Sequence, residues 1–74
     1  MSDDWRRRFI RHFRRWATDR FPLQFPVRIY LRPTSRMEGA LGYFDMSEDL
    51  DRGIITIRDD LNQYLMIDTL CEEW

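Results

Sequence analysis

Asp60-Leu-Asn-Gln-Tyr-Leu-Met-Ile-Asp-Thr-Leu-Cys-Glu-Glu-Trp74 closes the chain, and its periodicity is the first guide to the architecture. At about 100° per residue, Met66, Leu70, Trp74, Ile67, Cys71 and Tyr64 form a broad apolar arc, with Leu61 and Leu65 on nearly the opposite side. A helix apolar on two faces belongs inside a fold, so this stretch predicts a buried C-terminal helix. Asp60 as N-cap with Gln63 three residues on makes a capping-box start, and Asp59 adds negative charge where the helix dipole favours it. The far end has neither Gly, Asn nor a basic residue in its last turn, only Glu72, Glu73 and Trp74, and negative charge there opposes the dipole. The pattern reads as a helix interrupted within a longer one, and a single small domain spanning 1–74 is therefore expected to be incomplete at its C-terminus.

A chain of 74 residues holds one domain at most, and a core of that size needs support from a partner, a metal or further chain. No apolar run approaches the length of a membrane span, and Met-Ser-Asp-Asp-Trp-Arg-Arg-Arg at the N-terminus has no apolar segment of the secretory kind. Cys71 is the single cysteine, which excludes an internal disulfide and points to a reducing, cytoplasmic setting. The net charge of −1 hides a division: residues 1–36 balance at +7 and residues 37–74 at −8, so the two halves are expected to attract. Every basic residue is Arg, as a GC-rich genome or a need for bidentate anion contacts would each produce.

Working back along the chain, Ser2, Asp3 or Asp4 caps a first helix that runs to about Asp19 and stops at Phe21-Pro22, since the residue before proline avoids the helical region. Trp5, Phe9, Ile10, Phe13, Trp16 and Ala17 share one face of this helix, and Arg7, Arg8, Arg11, Arg14 and Arg15 the other. Burial of its four aromatic rings at on the order of 2 kcal/mol each would make it a main anchor of the core. Val27-Arg-Ile-Tyr-Leu-Arg32 alternates as a half-buried strand ended by Pro33, and Thr34–Gly39 is a loop. Ala40–Met46 is a second strand in which Gly42 permits a bulge or a close backbone approach, and Ser47–Gly53 is an acidic turn. Ile54-Ile-Thr-Ile57 is a third, β-branched strand. The tight connection between the last two strands implies antiparallel pairing. The expected fold is α+β in the order α-β-β-β-α: an N-terminal amphipathic helix, a three-stranded, mainly antiparallel sheet and a C-terminal buried helix, with both helices on one sheet face.

The ending Thr69-Leu-Cys-Glu-Glu-Trp74, on a helix that follows three strands, resembles the approach to the active helix of SprT-like zinc metallopeptidases, in which an N-terminal helix and a small sheet support a helix carrying His-Glu-x-x-His. The resemblance in element order covers most of the chain, and the motif itself is matched only at the end. It implies that Glu73 is the catalytic general base and that Glu72 stands where the first histidine ligand would be. The second histidine would lie two positions beyond Trp74, so the resemblance implies zinc only for a longer chain and no cofactor for this one. The motif works because residues four apart share a helix face and can hold one metal ion, while the intervening glutamate reaches the bound water. Asp68, one turn before Glu72, makes a second carboxylate on that face, and two such ligands bind weakly. His12 reads as a solvated surface side chain and Cys71 as a packing residue.

Two charged groups define a different class of function, a small non-enzymatic binding module or a phage-type inhibitor. Arg7, Arg11, Arg14 and Arg15 form a basic face suited to a protein partner or to weak, salt-sensitive contact with nucleic acid. Asp45, Glu48, Asp49 and Asp51 form an acidic face around the hairpin turn that could meet a basic partner. The apolar helix ending in Trp74 adds self-association to these expectations.

Overall fold

The computed structural model describes residues 4–74, the side chain of Asp4 excepted. The elements run α1 (Asp4–Arg20), β1 (Val27–Arg32), a short 3-10 turn (Thr34–Arg36), β2 (Gly42–Met46), β3 (Gly53–Arg58) and α2 (Gln63–Glu73). This is the α+β order α-β-β-β-α that the periodicities indicate. The cap expected at Ser2, Asp3 or Asp4 lies outside the described residues.

The three strands form one sheet in the order β1-β3-β2. β2 pairs antiparallel with β3 across the acidic turn, as the short connection implies, with Phe44 opposite Ile55 and Gly42 opposite Ile57. β1 adds to the other side of β3 in parallel, Ile29 beside Ile55 and Leu31 beside Ile57, so the sheet is mixed rather than mainly antiparallel. The most continuously apolar strand takes the centre, where it is covered on both flanks. At the far end of the sheet the N–H groups of Arg58 and Asp59 donate to the carbonyls of Leu41 and Arg32, 2.9 and 3.0 Å away. The start of β2 and the end of β1 are thereby clamped to the end of β3.

Both helices lie on one face of this sheet. Ile10, Phe13 and Ala17 of α1 and Met66 and Leu70 of α2 join Val27, Ile55, Ile57 and Leu61 in a single core, with Ile29, Leu31, Phe44 and Trp74 packed against it. Burial on α1 is narrower than its apolar arc: Phe13 is 5% exposed, whereas Trp5 and Trp16 are 37% and 44% exposed and Phe9 is half-buried. Met37, in the connection after β1, is also buried.

α2 differs most from its wheel. Its N-cap is Asn62, whose side chain accepts from the Leu65 N–H at 2.9 Å, so the helix begins after Leu61 rather than at Asp60. Asp60 instead accepts from the Arg58 guanidinium at 2.8 Å and from the Thr34 hydroxyl at 3.3 Å. The Arg58 hydrogen bonds and charge hold the Asp60 carboxyl below its ordinary value of 3.8. Leu61 is buried just ahead of the helix, and within the helix only Met66, Thr69 and Leu70 are fully buried. Tyr64, Leu65, Ile67 and Cys71 are exposed. The helix is apolar on two sides but covered on one, and Cys71 is a free surface thiol rather than a packing residue.

The acidic turn is closed by Ser47, whose N–H donates to the Arg52 carbonyl at 3.0 Å and whose hydroxyl donates to Asp51 at 2.8 Å. At its tip Leu50 has φ +56° and is 71% exposed, a left-handed conformation that a branched apolar side chain adopts at a cost. Leu50→Asn, which tolerates that region, is expected to stabilise the fold by about 0.5–1 kcal/mol in urea unfolding. An unchanged or lower midpoint would count against strain at this residue.

Candidate functional site

The last turn of α2 carries the residues singled out by the metallopeptidase resemblance. Trp74 fixes that turn: its N–H donates to the Leu70 carbonyl at 2.9 Å and its indole Nε1–H to the Phe21 carbonyl at 3.0 Å. Its ring meets Phe13 edge-on, with centroids 5.9 Å apart and planes at 83°. An indole placed among apolar rings needs an acceptor for its N–H, and the carbonyl that follows α1 supplies it. One turn earlier the helix lies against the sheet, with Thr69 beside Gly42 of β2. Glu73 is half-buried beside this anchor and Glu72 faces solvent.

The donor set there does not fit a zinc ion. Asp68, Cys71 and Glu72 are exposed along α2, and His12 lies on the exposed face of α1. Among the described residues, no three His, Cys, Asp or Glu side chains come together as a metal would require. Glu72 alone of the expected ligands is available, and no chemical step through a metal follows from these residues.

The charged faces rearrange more than the sequence suggests. Among the described residues the ion pairs are Arg58–Asp60 at 2.8 Å and Arg52–Asp51 at 4.0 Å, both inside the acidic half. Neither of these two pairs joins the basic half to the acidic one. One arginine of α1, Arg6, reaches the second half through a neutral acceptor, the Leu61 carbonyl at 3.1 Å. Asp45, Glu48, Asp49 and Asp51 are all exposed, yet Glu48 and Asp49 share a shallow depression with Arg28 and Arg52. The acidic face is thus interrupted by guanidinium groups, which weakens it as a uniform charge array.

Arg7, Arg11, Arg14 and Arg15 are exposed, as an amphipathic helix requires, and three of them border the sheet edge. Arg7, Arg11 and Arg14 line a groove of about 430 Å³ between α1 and the β1 edge, together with Ile10, Ile29, Leu31 and, at the edge, Tyr30. Arg15 does not line it; with Arg11, Arg14, His12, Thr18 and Asp19 it borders a second depression on the outer surface of the helix. Like charges four apart on a helix repel by a few tenths of a kcal/mol, so the groove is primed for an anion. The strand residues of this groove have no signal in the sequence beyond ordinary alternation; their role comes from β1 lying at the sheet edge.

The opposite sheet face carries no helix among the described residues and presents Tyr30 and Tyr43 on either side of Thr56, with Arg28 and Arg32 beside them. A further apolar hollow lies between the helix ends, lined by Trp16, Phe21, Leu23, Cys71 and Trp74. Compared with known proteins, the chain matches no family model, no curated protein and no solved structure. No helix among the described residues is long and apolar enough to cross a membrane.

Proposed function

We propose that this chain is a SprT-like, metallopeptidase-related domain that does not hydrolyse peptides as the 74 residues stand, because its zinc-ligand set is incomplete. The observation that supports the reading is the anchoring of the last turn of α2. The N-terminal helix and the residue after it hold it through Phe13 and the Phe21 carbonyl, both against Trp74, and the sheet holds the preceding turn through Thr69 and Gly42. A helix held in this way by two other elements is a rigid mount for a catalytic residue, and precise placement is what general-base chemistry needs. Glu73, half-buried beside the anchor, is the general-base candidate, and Glu72 marks the position of a ligand.

The test begins with the gene. The codons after Trp74 are expected to place histidine at the second residue beyond it, four residues from Glu72. The corresponding longer protein is expected to bind zinc stoichiometrically and to cleave an unfolded protein substrate, with hydrolysis reduced roughly 100- to 10,000-fold by Glu73→Gln. Calorimetry on the 74-residue chain is expected to show no stoichiometric sub-micromolar zinc site. A stop codon or another residue at that position, or tight zinc uptake by this chain alone, overturns the reading.

A further inference from the structure

β1 is an edge strand, and its outer side is open. The Gly53 N–H donates to the Pro26 carbonyl and the Asp59 N–H to the Arg32 carbonyl, which sets the parity of the parallel ladder. Even-numbered residues of β1 turn their backbone groups toward β3. Ile29 and Leu31 therefore turn one N–H and one C=O each to the outside, where no strand among the described residues pairs with them. Unpaired edge groups of this kind are a template for an added strand.

The groove along that edge is lined on its far side by Arg7, Arg11 and Arg14. None of the three makes a hydrogen bond or ion pair among the described residues. At about 1.5 Å of rise per residue they span roughly 10 Å of helix, while alternate residues of a strand are about 6.7 Å apart. A strand laid beside β1 would turn every second side chain toward α1, and two or three successive carboxylates would meet these guanidinium groups. Its remaining side chains would turn toward Tyr30 on the helix-free face.

We propose that the α1–β1 groove binds an extended acidic peptide segment of another protein, which adds to β1 as a fourth strand and pairs its alternate carboxylates with Arg7, Arg11 and Arg14. The charge complementarity selects the occupant: backbone pairing accepts any extended chain, and the arginines restrict it to one with acid at every second position. The inference is independent of the role of α2, and its failure leaves that reading untouched.

The test titrates the 74-residue chain with a fluorescent Glu-Val-Glu-Val-Glu-Val-Glu peptide, and with the same peptide N-methylated at alternate residues, a Lys-Val counterpart and a short duplex DNA. Saturable binding of the Glu-Val peptide is expected, lost on N-methylation and weakened at least about tenfold by Arg11→Glu, with Arg15→Glu nearly unchanged. Amide exchange at Ile29 and Leu31 is expected to slow on binding, which a purely electrostatic contact would not cause. Absence of binding, equal binding of the N-methylated peptide, equal sensitivity to Arg11→Glu and Arg15→Glu, or tighter binding of DNA overturns the proposal. Protection of Ile29 and Leu31 that rises with protein concentration alone also overturns it, because a second copy would then be the occupant. The peptide variants keep the test decisive if Arg11→Glu fails to fold.

Discussion

Leu70→Ala is expected to cost roughly 2–5 kcal/mol in urea unfolding, while Leu65→Ala, five residues earlier on the same helix, costs below about 1 kcal/mol. Leu70 is fully buried in the common core, and Leu65 is 41% exposed. A domain of this length has a total stability of roughly 4–11 kcal/mol, so the first substitution removes a large part of it or unfolds the protein outright. On the thermal scale, each kcal/mol corresponds to about 4–8 °C for a domain of this size. The pair also discriminates between two views of α2. A helix buried on both sides would give similar losses at the two positions, and similar losses would refute the one-sided packing described here.

Gly42→Val is expected to destabilise by about 1–3 kcal/mol or more, through a clash rather than a cavity. A Cβ at Gly42 would lie 2.6 Å from Thr69 Cγ2, and 3.1 Å from both Ile57 Cγ2 and the Thr56 carbonyl oxygen. The first contact is closer than real Cβ atoms approach their neighbours, so either β2 or the middle of α2 must move. Thr69→Ser deletes only that methyl. In the smaller Gly42→Ala background it is expected to recover about half of the loss, leaving the contacts to Ile57 and Thr56 in place. A double-mutant cycle by urea unfolding reads this directly, and the two sites should couple by on the order of 1 kcal/mol. Strict additivity would mean that the helix does not sit on β2 at this point. The same displacement would loosen the mount that carries Glu72 and Glu73.

The elements that are legible in the sequence are those set by local interactions. The alternation of Val27–Arg32, the β-branched run at Ile54–Ile57 and the Phe21-Pro22 stop locate their elements because each depends on a few neighbouring residues. Gly42 was legible for the same reason: a glycine inside a strand pattern signals a close approach, although not by which atoms. The cap of α2 was less legible. Asp60 and Asn62 are both competent N-caps, and the choice went to Asn62 because Asp60 is engaged by Arg58 and Thr34.

Of the candidate sites, the sequence names the residues but not their grouping. Glu72 and Glu73 follow from a motif, whereas the tether that fixes them joins Trp74 to a carbonyl 53 residues away. Arg7, Arg11 and Arg14 line the groove and Arg15 does not, a distinction set only by where β1 runs.

By itself, then, the sequence determined the element order, the amphipathic face of α1, the antiparallel return of β2 on β3 and the uneven distribution of charge. Each of these is set by periodicity, turn length or composition, which short-range sterics and solvation translate directly. Tertiary structure decided the parallel placement of β1, the side of α2 that is buried and the pairing of three arginines with an open strand edge. Two helices over one face of a three-stranded sheet make a single core, and that core has room for Met66 and Leu70 but no second layer to cover Tyr64, Leu65 and Ile67.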